Sequence, residues 1–286
     1  MISINANAKI NLTLDILGSR ADGFHEVAMV MQEVSLHDRL TLRRSICGIE
    51  LKVTGSDLPA DESNLCWKAA KLMQDECNLT EGVSIELEKH IPEAAGLAGG
   101  STDAAAVLKG MNQLFELGLT EERLCELGAK LGSDIPFCIM GGTMLATGRG
   151  EILQRLPDFP ACHVVLAKPA IGVSTAWAYK TYDNGYDGQH PDNAAMLKAI
   201  EAGDVQKACG LLCNVLEYVT IGKHEIISTY KELMLQQGAM ASMMSGSGPT
   251  VFGLTLDKAI AEKMAEAIRK QDAEASVHIA ETVAKK

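Results

Sequence analysis

The sequence predicts an α+β fold built from mixed strands and helices. Three observations carry that prediction: the chain opens on long stretches of two-residue apolar alternation, helical patterns with recognisable caps follow, and the two kinds of segment then interleave to the end of the chain. From Ile10 to Ile16 apolar residues alternate with Asn11, Thr13 and Asp15, and EVAMVMQEV at 26–34 and DRLTLR at 38–43 continue in β style. Ser63 or Asn64 caps a helix running to about Glu76, after which Val83, Ile85 and Leu87 alternate with Ser84, Glu86 and Glu88 as a strand. Helices are expected over 104–117 and 120–131, the second with Glu121 and Glu122 at its positive end. The segment GSDIPFCIMGGTMLATGRGEIL at 132–153 reads as a turn, an apolar segment and a glycine-punctuated hairpin. A boundary near Pro157 to Pro160 divides the chain into 1–157 and 158–286. The second part reads as strand 163–168, several helices between about 174 and 237, strands at 241–244 and 250–254, helix 257–271 and strand 276–281.

With 286 residues and 47% hydrophobic content, the chain can bury a large core, and it has no apolar run near the roughly 18 residues of a membrane span. The net charge of −11 argues against a general nucleic-acid or membrane surface, so an anionic ligand has to be held by local contacts. No basic and apolar leader opens the sequence, which makes the cytoplasm the expected location. Eight scattered cysteines contain no C-x-x-C pair, which speaks against a zinc site or a disulfide framework. Cys209 and Cys213 stand four apart and are expected to share one buried helix face.

The chemistry concentrates in short segments. PEAAGLAGGSTDAAA at 92–106 follows a strand and runs into a helix, offering bare backbone N–H groups and a positive helix end, which together form an anion site. Its glycines at 96, 99 and 100 do not fit G-x-G-x-x-G, and it lacks the lysine of a Walker A loop. Ser101 and Thr102 supply hydroxyls for a helix cap, a phosphate or a magnesium ion. Alanine does not tolerate positive φ well, so Gly96, Gly99 and Gly100 are expected to carry any left-handed turns. Lys9 enters an otherwise apolar and neutral strand, where a lone lysine is ordinarily a solvated charge. Asp134, in GSDIPF, reads equally as a helix cap or turn residue. SGSGPTVFG at 245–253 is a second glycine-serine loop that a hairpin turn alone explains.

Taken in order, AKINL, DGFHE, PEAAGLAGGSTDAA, GSDIPF and SGSGPTVFG resemble the GHMP kinase superfamily, small-molecule kinases that include galactokinase, homoserine kinase and mevalonate kinase. The resemblance spans nearly the whole chain. Within it, AKINLTLDILGSRADGFHEV, GSDIPFCIMGGTMLATGRGE and KPAIGVSTAWAY are most similar to the members that phosphorylate a hydroxyl of a cytidine diphosphate derivative on the way to isoprenoid precursors. The resemblance implies an N-terminal α/β domain with a phosphate loop, a C-terminal ferredoxin-like domain and an active site between them. It implies that ATP phosphates, with Mg2+, are held by Pro92, Glu93, Ala94, Ala95, Gly96, Leu97, Ala98, Gly99, Gly100, Ser101 and Thr102. Asp134 matches the catalytic aspartate and Lys9 the catalytic lysine. Asn11, Phe24, His25 and Tyr179 match the substrate site, with the two aromatic rings around the cytosine. The chain departs from the family in Ala94, Ala95 and Ala98, where many members have glycine, in Ser101-Thr102 for Ser-Ser, and in Phe24 for a frequent tyrosine. A homoserine or mevalonate kinase is the alternative enzyme, against which DGFHE and GVSTAWAY argue. A non-catalytic relative or a plain nucleotide-binding scaffold is the alternative class, against which the joint presence of Lys9 and Asp134 argues.

Overall fold

The computed structural model describes residues 1–186 and 188–285. The chain forms two compact units that interleave along the sequence, one holding Met1–Ala8, His37–Glu93 and Ala98–Gly141, the other Lys9–Leu36, Ala94–Leu97 and Gly142–Lys286. This division follows compaction; the linear one after residue 157 is a different partition. Strands β1 (Ile2–Ser19) and β2 (His25–Ser45), 18 and 21 residues long, contribute to both units, several times the length of an average strand of about 5–6 residues.

In the first unit β1 and β2 are joined by β3 (Ile49–Thr54), α1 (Leu65–Cys77), β4 (Gly82–Glu88), α2 (Gly99–Leu114), α3 (Glu121–Ala129) and α4 (Ile135–Met140). The sheet order is β3-β4-β2-β1. β3 and β4 run parallel, which no tight hairpin can connect, and α1 supplies the crossover. The expected alternation holds in β4, where Val83, Ile85 and Leu87 are buried and Glu86 and Glu88 exposed. Asn64 caps α1 by accepting from Cys66 N, and Thr120 caps α3 by accepting from Arg123 N. Helix α2 is buried without interruption from Thr102 to Leu108, and its alanines at 104, 105 and 106 let it pack against both α1 and α4. The segment after Asp134, read from sequence as a turn and an apolar run, is the short helix α4, started by Pro136 in its first turn.

The second unit continues with β5 (Thr143–Thr147), β6 (Ile152–Arg155), β7 (His163–Lys168), α5 (Thr175–Asp183), α6 (Asn193–Glu201), α7 (Val205–Cys209), β8 (Cys213–Asn214), α8 (Val215–Ile221), α9 (Ile226–Gln236), β9 (Ala241–Met244), β10 (Val251–Thr255), α10 (Lys258–Gln271) and β11 (Ser276–Glu281). One of its sheets has the order β6-β5-β2-β1-β8. The other is antiparallel throughout with order β11-β7-β10-β9, covered by α9 and α10. Read across the sheet, its strands are the fourth, first, third and second in chain order, the ferredoxin-like arrangement the resemblance implied. Cys209 and Cys213 do not share a helix face. α7 ends at Cys209 with Gly210 as its cap, and Cys213 opens β8, where it pairs with Thr13 of β1. No helix among the described residues is long and apolar enough to cross a membrane.

Candidate active site

The loop between β4 and α2 turns left-handed at Ala94 (φ 47°), Gly96 (φ 74°) and Ala98 (φ 59°), whereas Gly99 and Gly100 are the first two residues of the helix. This corrects the expectation that glycines alone carry the tight turns. Each left-handed alanine costs about 1–2 kcal/mol of backbone strain, so the conformation has to be imposed by its surroundings. Much of that grip comes from within the second unit. Lys9 N donates to Leu97 O at 3.2 Å, Thr250 N to Ala95 O at 3.4 Å, and the Ser245 hydroxyl to Gly96 O at 3.0 Å. A Cβ on Gly96 would come within 2.1 Å of Ser245 O, so only glycine fits there. The SGSGP turn between β9 and β10 is therefore more than a hairpin connection, because it backs the glycine-rich loop. Asn214 holds that turn in place, its side-chain amide donating to Met244 O and Gly246 O.

Ser101 and Thr102 do not cap α2. The cap position is Ala98, which has no side chain to offer, and Thr102 instead donates its hydroxyl to Asn7 O at 2.7 Å. The N–H groups of Gly99, Gly100 and Ser101 thus lie in the first turn of a 16-residue helix with no side-chain cap, where backbone donors and the positive helix end favour an anion. Among the described residues no group of three His, Cys, Asp or Glu side chains gathers into a metal cage.

Beneath this helix start, still in the first unit, lies a charged cluster that the sequence reading missed. Lys89 forms ion pairs with Asp38 and, at 2.7 Å, with Asp103 of α2, and all three are buried. The second oxygen of Asp38 accepts from the backbone of His90 and Ile91, where the chain enters the loop. The cluster therefore clasps the loop's entry and its exit together. Two carboxyls share one ammonium, and Oδ1 of Asp103 has no hydrogen-bond partner among the described residues. Burial, opposed by Lys89 and reinforced by Asp38, pushes Asp103 up to about 8. The signal was present in the strand phase: Lys89 continues the inward series 83, 85, 87, and Asp38 opens the inward series with Leu40 and Leu42.

On β1 the residues Lys9, Asn11, Thr13 and Asp15 occupy one face at two-residue spacing, and all four are buried. Lys9 sits mid-strand, not at a strand entry, and is only 4% exposed, which overturns the solvated-charge reading. Its ammonium donates to Asn11 Oδ1 at 2.6 Å. Thr13 donates to Asn193 Oδ1 at 2.6 Å, and Asp15 pairs with His190 Nδ1 at 2.6 Å. Asp134 occupies the cap position of α4 in the first unit, yet its side chain makes no capping hydrogen bond, so the cap reading finds no support. Lys9 and Asn11 belong to the second unit.

The predicted substrate residues also lie in the second unit. The His25 and Tyr179 rings meet with centroids 4.9 Å apart and planes tilted by 37°, and His25 Nε2 lies 2.8 Å from Asp183 Oδ1. Phe24 is 52% exposed, with the Arg149 guanidinium 5.0 Å from its ring centre. The structure thus brings His25 to Tyr179 and Phe24 to Arg149.

The comparison with known proteins agrees with this geometry. The GHMP kinases N terminal domain model matches residues 64–142, and the GHMP kinases C terminal model matches residues 196–274. A curated 4-diphosphocytidyl-2-C-methyl-D-erythritol kinase of Macrococcus caseolyticus is 51% identical over 270 residues, 94% of this chain and 95% of that protein. One of Geobacillus kaustophilus is 51% identical over 255 residues, 88% of each. A crystal structure of 4-(cytidine 5'-diphospho)-2C-methyl-D-erythritol kinase superimposes with a TM-score of 0.85 at 31% identity, over 99% of this chain and 100% of that one. A homoserine kinase from Cytophaga hutchinsonii, with a TM-score of 0.78 and 20% identity over 99% and 94% of the two chains, shares the fold. The chain belongs to the GHMP kinase family, alongside the relatives named 4-diphosphocytidyl-2-C-methyl-D-erythritol kinase.

Proposed function

We propose that this chain transfers the γ-phosphoryl group of ATP to a hydroxyl of 4-diphosphocytidyl-2-C-methyl-D-erythritol, a step of the non-mevalonate route to isoprenoid precursors. The observation that carries the reading is the uncapped start of α2 behind a rigidly backed loop, in a chain 51% identical to a kinase of that name. Residues 92–102 wrap the phosphates, with the amides of Gly99, Gly100 and Ser101 directed at phosphate oxygens. Mg2+, which neutralises charge on the phosphates during such transfers, would be held mainly by phosphate oxygens and water, with the Ser101 hydroxyl as the candidate protein group on the loop.

Phosphoryl transfer needs a positioned nucleophile and neutralised charge more than covalent help. Asp134 accepts or orients the proton of the attacking hydroxyl. Lys9 offsets negative charge on the transferring group. Asn11, bonded to Lys9, faces the substrate near its reacting end. Phe24 and Tyr179 hold the cytosine ring between them, and His25 reads its hydrogen-bonding edge. The test is release of ADP from ATP with the cytidyl substrate, with homoserine and with mevalonate offered in parallel. Turnover with the cytidyl substrate alone supports the reading; turnover with either of the others, or ATP binding without ADP release, sinks it. In the same assay Asp134→Asn lowers kcat by about 10²- to 10⁴-fold, the usual contribution of a general base, while ATP still binds. A loss below about tenfold would leave Asp134 without a catalytic role.

A further inference from the structure

Arg149 stands at the tip of the β5–β6 hairpin, between Gly148 (φ 72°) and Gly150 (φ 110°), whose left-handed backbone makes the turn. The turn is anchored twice to the start of β2: Val27 N donates to Gly148 O at 2.8 Å, and Gly148 N donates to Glu26 Oε1 at 3.1 Å. The side chain is also oriented. Glu151 accepts from Arg149 N at 2.7 Å and from Arg149 Nε at 3.4 Å, which directs one edge of the guanidinium at that carboxylate. The two terminal amino groups make no hydrogen bond among the described residues, and the guanidinium charge also interacts with the Asp22 carboxylate. The guanidinium covers one face of the Phe24 ring, and the ring remains half-exposed.

The surrounding charges do not form a general cationic field. Arg20 is held by Asp22 and Glu26, and Glu151 adds a further carboxylate. An anion approaching this rim therefore meets no net attraction and must be bound by directed donors. The terminal amines of Arg149 fit that requirement, because a guanidinium presents paired N–H groups in the spacing of phosphate oxygens.

We infer that Arg149 is a substrate-binding residue whose terminal amino groups hold the diphosphate of the cytidyl substrate, while the ring it backs holds the base. This rests on the cytosine site proposed above for Phe24. The two-part arrangement gives a specificity that neither part has alone. A ring stacks on any flat base, and a fork binds any phosphate; a fork fixed 5.0 Å from the ring centre selects a base that carries phosphate at nucleotide spacing.

Binding of cytidine and of CDP, measured by calorimetry on the full chain, separates the parts. In Arg149→Met, which keeps an unbranched chain over the ring and loses the charge, CDP binds about tenfold or more weakly, the effect of losing a charged hydrogen bond, and cytidine binds as to the wild type. Arg149→Lys, which keeps the charge without the fork, falls between the two. Phe24→Ala weakens both ligands together. Equal weakening of cytidine and CDP in Arg149→Met would overturn the inference by making Arg149 a prop for the ring, and so would unchanged CDP binding. A wild-type chain that binds neither ligand would remove the base site, and this inference with it.

Discussion

Two charged clusters, one in each unit, are built on opposite principles. Lys89, Asp38 and Asp103 have side chains no more than 4% exposed, and each fixes a piece of backbone or its neighbour at the ends of the glycine-rich loop. Arg20, Asp22 and Glu26, next to Phe24, form comparable ion pairs with side chains 34%, 45% and 41% exposed. A buried charge has nowhere else to find a partner, so the first cluster tolerates no loss and holds one geometry. An exposed pair exchanges its partner for water at little cost, so the second cluster can yield as a substrate arrives. The difference matches the two tasks proposed here. Phosphate contacts that act on the reaction require placement to a fraction of an ångström, while binding a base requires an open ring and adaptable neighbours.

Four substitutions sharpen or break that contrast. The largest effect belongs to Lys89→Met, which leaves the buried Asp38 carboxylate without its counter-ion and Asp103 without its hydrogen-bond donor, and costs about 3–5 kcal/mol in denaturant unfolding. A cost below about 1 kcal/mol would mean that the buried cluster behaves like a surface pair. Next is Gly99→Val. A Cβ added there would lie 3.2 Å from Ile91 Cγ2 and 3.3 Å from Lys89 Nζ, so a branched side chain displaces the helix start against the clasp. ATP affinity should fall by about ten- to a hundredfold with cytidine binding unchanged, the scale expected for a displacement of about 1 Å. Unaltered ATP affinity would separate this loop from the nucleotide.

A smaller effect is expected in pH dependence. The Asp103 carboxyl is raised from 3.8 to about 8, so between those values the folded chain holds a proton that the unfolded chain has released. Its contribution to stability is therefore complete below pH 3.8 and is lost as pH rises towards 8. Asp103→Asn removes this titration, so the variant gains stability relative to the wild type across that interval. A stability difference that does not change with pH would show Asp103 to be ionised throughout. The smallest effect is that of Asp22→Asn. It breaks an exposed pair with Arg20, which keeps Glu26, and its melting temperature should be indistinguishable from that of the wild type.

Much of the fold could be read from the chain because its signals are local. The inward phase of β4, the Asn64 and Thr120 caps and the three C-terminal strands with their helix all stand where alternation and capping rules put them. Readings that failed were those that treated a local preference as decisive. Ala94 and Ala98 were expected to avoid left-handed backbone, yet the loop is held from Lys9, Ser245 and Thr250, and that grip outweighs the strain. Cys213 was assigned to a helix by its distance from Cys209, but pairing with β1 draws it into a strand. Of the roles open to the Thr102 hydroxyl, capping is ruled out because the helix starts three residues earlier, and the hydroxyl ties to Asn7 O instead.

By itself the sequence determined much of the order of strands and helices (though not β3 or α4), the place of the glycine-rich loop at a helix start, and a spacing of motifs specific enough to identify the family. These depend on residues within a few positions of one another, and short-range geometry is written directly in the order of side chains. Only the tertiary structure decided which charges are buried and with whom. Lys89 meets Asp38 across 51 residues and Asp103 across 14, Asn214 reaches the turn at Gly246 across 32, and Ser245 backs Gly96 across 149. Such pairings arise when elements pack, because burial strips water from a polar group and requires a partner wherever in the chain one can be brought, a choice that no local pattern encodes.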